Sequence, residues 1–494
     1  MREGKSNMYT KILKSTSLFG SVQLFALITS VIKSKFLAVL IGPAGYGFFS
    51  ILNSNVEVIR QLSGFSIETS GVKSISEIKH DNNKTELNKR ASALIKIAFL
   101  TGLLGITISI IFSEVLSLIA FNNDEKVWAI ILVSGSIFFK QITSARSAVI
   151  QGLSKLSYLA KLNLYSNLFS LIFTLPLYFI WHIKAVVPAI ILSSVISFIV
   201  SAFFYKKTGI TNYRAGFKET FNNSKKTLYF GGLLSLSAFL PSLVNYTLQI
   251  LINKTGGLDE VGIFTITTVV INSYVGIVFT AMSMEYYPRL ASYNKDVYKE
   301  SEAINAQAVL SMLIIIPIII FFLGFASFII KTFFSSDFLR AVPVISWAIT
   351  GMFFKAVSFS MGYLIIARAD SKVFTKTAII FNALYFTLCI SGYHWFGLEG
   401  LGIGMAFYFF IHLIAICFLI RIRYSIKLVP EFYYIFIVGL LFCTSSVLVH
   451  FFADGMLRIV ISSVLLALSV IFSLMEINKR VGLKDFFLKI FKNG

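Results

Sequence analysis

The sequence predicts an all-α polytopic membrane protein of fourteen transmembrane helices, built as two parallel six-helix repeats with two further helices at the C-terminal end. Three observations lead there. Hydrophobic residues make up 56% of the 494 and charged residues only 14%, and apolar runs longer than about 18 residues recur from end to end. Lysine and arginine concentrate in alternate loops. Short matches also recur about 215 residues apart, including two lysines set in apolar sequence, Phe138-Phe139-Lys140 and Phe353-Phe354-Lys355. A soluble fold would need helices apolar on every face, packed into a core larger than one chain of this length buries.

Runs long enough to cross about 30 Å of hydrocarbon, at roughly 20 residues each, fall in the first half at 15–41, 45–72, 91–112, 127–150, 156–180 and 185–205. The second half gives 228–252, 261–287, 309–330, 341–367, 373–390 and 401–420, and the last pair is 432–451 and 456–475. The resulting organisation is an N-terminal lobe (1–215), a C-terminal lobe (216–428) and an appended pair of helices with a basic tail (429–494). Of the 44 Lys and Arg, 33 lie at the two ends and in or beside alternate loops, whereas Lys126, Lys184, Lys254, Lys331, Arg340 and Arg458 are alone in the others. Basic residues stay on the cytoplasmic side, so both termini are expected there. The net charge of +21 then belongs to the surface facing anionic lipid headgroups and does not call for nucleic acid. The first span is long and lacks a small-residue cleavage pattern, which reads as a retained helix. Cys389, Cys417 and Cys443 fall inside apolar helices without metal-ligand spacing, as packing residues do. No metal or organic cofactor is expected.

The repeat rests on several matches at nearly one offset. Gly47 matches Gly262 and Lys140 matches Lys355 at 215; Ser66-Ile67-Glu68 matches Ser283-Met284-Glu285, and Ser154-Lys155 matches Ser371-Lys372, at 217. Six helices separate the copies, so both have the same orientation, and a cavity is expected between them.

Ionisable residues deep in a membrane are costly and usually face a bundle interior or water. The expected spans hold five basic residues, Lys33, Lys35, Arg60, Lys140 and Lys355, against one central acid, Glu57. Arg60 lies about 22 Å along its helix from Gly45, too deep for easy snorkelling; Lys33 and Lys35 lie closer to an end, where snorkelling competes with a cavity role. In the second helix Asn53, Glu57, Arg60, Gln61, Gly64 and Glu68 recur at steps of three and four, and so share one face. Either Glu57 and Arg60 neutralise each other, or Glu57 is a proton or cation site and Arg60 an anion contact. The eighth helix has Asn272 where Glu57 would fall. In the seventh helix Asn245 and Gln249 suit either cavity hydrogen bonding or helix packing, and Pro241 is a candidate bend. His412 is either a proton shuttle or a hydrogen-bonded packing residue. Trp128, Trp181 and Trp395 suit an interfacial belt. The substrate-contact candidates are therefore Lys35, Asn53, Arg60, Lys140, Asn245, Gln249 and Lys355, with Glu57 as the candidate for coupling to H⁺ or Na⁺.

The segment Lys35-Phe-Leu-Ala-Val-Leu-Ile-Gly-Pro-Ala-Gly-Tyr-Gly47 resembles that of Wzx-type polysaccharide repeat-unit flippases, and the layout of two six-helix lobes plus two helices is similar to that of the multidrug/oligosaccharidyl-lipid/polysaccharide exporter superfamily. The resemblance implies a bacterial inner-membrane protein that moves an undecaprenyl-pyrophosphate-linked oligosaccharide between leaflets. It also implies contact with membrane lipids, and polysaccharide polymerase and glycosyltransferase neighbours. A lysine-rich interior suits a pyrophosphate, with arginine for bidentate contacts and lysine as a point charge. The competing readings are a lipid II flippase, a drug or cation exporter of the same superfamily, for which buried carboxylates are expected, and a membrane enzyme acting on lipid-linked sugars. No clustered catalytic groups or large outer loop support the enzyme.

Overall fold

The computed structural model describes residues 2–79, 83–211, 213 and 217–481, with side chains from residue 27 onward except at 217–234, 236–237 and 481. Every regular element among them is helical: α1 (Arg2–Gly64), α2 (Ile67–Lys79), α3 (Lys84–Ile111), α4 (Ser113–Phe121), α5 (Val127–Gly152), α6 (Leu156–Trp181), α7 (Val186–Lys206), α8 (Phe217–Val269), α9 (Ile277–Ser292), α10 (Val297–Phe333), α11 (Ala341–Ala367), α12 (Ser371–Tyr424), α13 (Pro430–Phe452) and α14 (Gly455–Val481). Among the described residues ten segments are long and apolar enough to cross a membrane, and the chain is a multi-pass membrane protein. Five of the ten exceed what one crossing needs, at 38, 51, 38, 37 and 54 residues, and each contains a break, which in the 37-residue segment is at Phe325 (φ −119°). The backbone turns left-handed at Gly42 (φ 63°), His182 (φ 46°), Gly257 (φ 78°) and Gly397 (φ 59°). Around Gly397 the two arms of α12 run antiparallel on glycine, because a Cβ on Gly392 would collide with the Gly400 carbonyl and one on Gly404 with the Leu388 carbonyl. Around His182, α6 and α7 pair antiparallel through Ser170 and Ser193 (2.7 Å) and the stacked rings of Tyr165 and Phe204.

The breaks carry the repeat into the backbone. Gly42 and Gly257 are 215 residues apart, as are His182 and Gly397, and so are two further left-handed residues, Ser154 (φ 57°) and Ala369 (φ 54°). A left-handed residue that is not glycine is uncommon, so its recurrence at the offset of the lysines is informative. One expectation needs correction. The second span does not run to Val72: Phe65 and Ser66 turn left-handed (φ 49° and 40°), and Glu68 opens α2 instead of continuing the α1 face. The break in α8 comes at Gly257, between the expected seventh and eighth spans, and Pro241 lies inside the arm before it.

By contact the described residues group into one unit of 28–265 and a second of 266–481 together with the residues before 28. This is a different property from the duplication boundary near 215. In the first unit, α2, α3 and α5 meet on small and branched residues, including Ile75, Ala91, Leu94, Ala98, Ala145 and Val149, and α6 and α7 pack through Leu162, Ile196, Val200 and Phe204. Close approach on small residues is how helices gain contact where lipid removes the hydrophobic drive. In the second unit α10 is central and buried along much of its length. The two additional helices pack on it: a Cβ on Gly439 of α13 would press on Ile316 and Phe353, and one on Gly324 of α10 on Ser462 of α14. Large exposed side chains such as Leu103, Ile111, Phe173, Phe328 and Phe418 then face lipid, and Trp128, Trp181 and Trp395 are also exposed.

Candidate functional site

Within 28–265 the arm of α1 after Gly42 meets α5 and the last arm of α8 before Gly257, and most of the expected polar residues come together there. The spacing of Glu57, Arg60 and Gln61 puts them on one helix face, and the carboxylate uses it fully. Arg60 donates to both Glu57 oxygens, from Nε to Oε2 (3.0 Å) and from Nη2 to Oε1 (2.6 Å). Gln61 donates to Oε1 (2.7 Å). The third guanidinium arm, Nη1, reaches across to Ser144 Oγ on α5 (3.2 Å). Such a bidentate pair is strong and directional, so the neutralising alternative for Glu57 and Arg60 is formed.

Lys140 behaves differently. Its Nζ donates to Asn53 Oδ1 at 2.9 Å, a neutral partner, while Glu57, Arg60 and Lys33 all act on it through space. Lys33, Asn53, Glu57, Arg60 and Lys140 therefore form one electrostatic group, with Lys35 half-buried on the preceding arm. Below it Arg60, Gln61, Gly64, Glu68 and Gln141 enclose a small cavity of about 90 Å³, so Glu68 faces Arg60 from α2. Gln141, next to the lysine, is tied to the Gly64 carbonyl and to Thr101 (both 3.3 Å).

Asn245 and Gln249 sit one turn apart on α8 and donate to Ser54 (3.4 Å) and Ser50 (3.0 Å) of α1. Asn55 adds a bond to the Tyr246 hydroxyl (2.9 Å). Gln249 is 1% exposed, which matches the helix-packing alternative. The same helices touch at backbone level: a Cβ on Gly47 would strike the Leu258 carbonyl, and a Cβ on Gly262 would strike the Pro43 carbonyl. Gly47 and Gly262 are repeat mates, and so are Pro43 and Leu258, so the contact is reciprocal.

In 266–481 the mate of Lys140 has a leaner setting. Lys355 Nζ lies 3.5 Å from Asn272 Oδ1 and over the rings of Phe279 (5.7 Å) and Phe409 (5.2 Å), with no carboxylate partner among the described residues. Cation–π contacts of this kind stabilise an ammonium without neutralising it. Asn272 belongs to a short π-helical turn, Val270–Val275, a local widening often found at functional sites. His412 packs edge-on against Phe381 (4.4 Å) and beside Tyr408, and its Nδ1 has no hydrogen-bond partner among the described residues.

Several charged groups escape a reading of local sequence. Arg146 donates to the Phe198 carbonyl (2.9 Å) and Ser201 (3.1 Å). Glu285 pairs with Arg289 (2.7 Å), both nearly buried. Glu300, 1% exposed, takes a bidentate Arg368. Arg423 and the Tyr424 hydroxyl hold Asp370 (2.9 and 3.1 Å). The i,i+4 spacing of Glu285 and Arg289 was a usable signal; the other partners lie 52 or more residues apart. No group of three metal-ligating side chains occurs among the described residues.

A solved structure of the lipid II flippase MurJ superposes with a TM-score of 0.65, covering 94% of this chain and 99% of that one at 13% identity. A Vibrio cholerae MATE transporter gives 0.63, with 87% and 99% covered at 16% identity. The fold is thus that of the exporter superfamily. By sequence, a Shigella flexneri protein named "Putative O-antigen transporter" is 25% identical over 355 residues, 70% of this chain and 81% of the relative. The family model described as polysaccharide biosynthesis protein matches residues 36–343, well over half the chain, and the chain therefore belongs to the polysaccharide biosynthesis protein family.

Proposed function

We propose that this protein is a flippase that moves an undecaprenyl-pyrophosphate-linked oligosaccharide, an O-antigen or related polysaccharide repeat unit, from the cytoplasmic to the periplasmic leaflet of a bacterial inner membrane by alternating access. The observation that carries the reading is the repeated lysine. Lys140 and Lys355 occupy matched positions in the two copies, and each faces a side-chain amide oxygen instead of a carboxylate, so each keeps its charge for a substrate anion. A lysine retained twice in apolar sequence at that cost suits a compact pyrophosphate, and the family match and the O-antigen relative point to the same cargo. Neither supports an enzyme.

The chemistry assigned to the site is an exchange of partners. Arg60 becomes available to a phosphate only when Glu57 lets go. Neutralising Glu57, by a proton or by Na⁺ beside it, releases the guanidinium for bidentate phosphate contact, and reforming the pair after release resets the site. Cation coupling at Glu57 thereby biases the cycle. Sugars meet the hydroxyl, amide and aromatic groups, the prenyl tail stays in lipid, and both termini face the cytoplasm, the side on which glycosyltransferase neighbours hand over the chain, while a polymerase neighbour receives it on the opposite side.

The test is leaflet exchange of a labelled undecaprenyl-pyrophosphate oligosaccharide in proteoliposomes. Arg60→Ala, Lys140→Ala and Lys355→Ala, each shown to be monodisperse and folded, are expected to lower exchange at least about tenfold, the equivalent of one lost charge-assisted contact. Folded wild type that exchanges no lipid-linked sugar across several headgroups and ion gradients would overturn the reading.

A further inference from the structure

Away from the lysines, the second unit carries a groove of about 830 Å³ between the second arm of α12 and α13, with Phe410, Ile414, Phe418 and Phe436 along it and Arg421 and Lys427 at one end. We propose that this groove is a binding site for an anionic phospholipid of the leaflet in which it lies, the phosphodiester held between Arg421 and Lys427 and one acyl chain laid along the aromatic wall. The site is independent of the transport reading above.

Length, charge and repetition argue for it. From Phe410 to Arg421 the helix rises about 16 Å, close to half of a hydrocarbon core of about 30 Å, so one acyl chain fits the groove from head to tail. On the flank of a membrane protein an apolar trough is filled by lipid, and the charge at its end selects which. Arg421 and Lys427 have no carboxylate partner among the described residues, whereas Arg423, two positions on, is committed to Asp370 at 2.8 Å. The helix thus presents one arginine to the protein and one to the groove. Glu431 is the sole carboxylate between 421 and 436, and it does not line the groove. Ser425, left-handed at φ 57°, adds a hydroxyl at the same end.

The first unit repeats the arrangement. Between α6 and α7 a groove of about 770 Å³ is lined by Tyr165, Ile199 and Phe203 and ends at Lys161 and Lys207. Ile199 and Phe203 are the repeat mates of Ile414 and Phe418, 215 residues on. The partner helix differs, α6 in one case and α13 in the other, yet both copies keep an apolar wall that leads to a pair of basic residues. Each such residue near a headgroup contributes about 1 kcal/mol toward anionic lipid, so a pair prefers it over a zwitterionic lipid with the same chains by roughly tenfold or more.

The experiment is native mass spectrometry of the full chain in detergent, titrated with dioleoyl phosphatidylglycerol or dioleoyl phosphatidylcholine. Wild type is expected to retain phosphatidylglycerol at roughly tenfold lower concentration. The Arg421→Gln/Lys427→Gln double variant should lose one retained phosphatidylglycerol, and Arg423→Gln should keep it. Ile414→Trp, which fills the trough, should lose that lipid as well; if it does not fold, the charge variant decides alone. Equal retention of the two lipids by wild type would overturn the proposal. So would unchanged phosphatidylglycerol retention in the folded double variant, or displacement from this groove by undecaprenyl phosphate at lower concentration than phosphatidylglycerol.

Discussion

The two copies of the repeat keep the same lysine and surround it with different chemistry. Around Lys140 the first copy places a full ion pair, Glu57 with Arg60, inside the helix that faces the lysine. The second copy has Asn272 and Val275 at those two positions, and aromatic faces take over the support of Lys355. Its own ion pairs, Glu285 with Arg289 and Glu300 with Arg368, lie at the ends of its helices. Duplication supplied one cation in each copy. Divergence then set the first beside a carboxylate–guanidinium pair and the second beside aromatic faces.

That contrast can be broken at its strongest point first. Arg368→Met leaves the buried Glu300 uncompensated, and breaking such a pair costs about 3–5 kcal/mol; the thermal midpoint in detergent should fall sharply, with Glu300→Gln/Arg368→Met recovering much of the loss. A midpoint unmoved in the single variant would mean that the second unit does not depend on its end pairs. Where the copies are alike, the effects should match: Gly47→Ala and Gly262→Ala each force a methyl into a backbone carbonyl and should cost about 1–3 kcal/mol. Unequal losses would show that the reciprocal contact is not symmetric in energy. Glu57→Gln in the first copy should be milder, about 1–2 kcal/mol, because the carboxylate is 32% exposed and water can reach the freed arginine. In the transport assay the same variant should lose dependence on an imposed ion gradient; full dependence would remove Glu57 from coupling.

The smallest effect concerns pH. Desolvation pushes the Asp370 carboxyl upward, but Arg423, the Val373 N–H and the Tyr424 hydroxyl outweigh it and hold it below the ordinary carboxylate range. A depressed value stabilises the fold above the unfolded pKa near 4, and that contribution is lost as pH falls through the folded value. Asp370→Asn should therefore lower the midpoint by about 1–2 °C at neutral pH, with the difference closing under acid. A difference that grew toward low pH would reverse the assignment.

Much of the architecture was legible in the sequence because its signals are local or periodic. Apolar length located the helices, and α11 begins and ends where the hydropathy did. The lysine offset anticipated the left-handed mates Gly42 and Gly257. The turn at Phe65 and Ser66 was hidden because hydrophobicity runs straight through it. The Glu57–Arg60 pair was legible from its three-residue step, and Lys140 from its depth. Its partner Asn53 lies 87 residues away, and nothing local distinguishes a neutral partner from a carboxylate. Asn245 and Gln249 illustrate the same limit: an amide on a membrane helix advertises a hydrogen bond, and only packing decides that it goes to Ser54 and Ser50. Glu300 and Arg368 were masked because charges near span ends read as solvated loop.

The reciprocal glycines also bear on how the chain is made. Gly47 and Gly262 press on Leu258 and Pro43, so a helix translated more than 200 residues earlier finds its seat only when residues beyond 258 have left the ribosome. The first copy cannot mature as an autonomous half during synthesis. It must wait, with its ion pair and lysine already inserted, for the opening helices of its duplicate, and cutting the gene at the duplication boundary should yield two fragments that assemble only when expressed together.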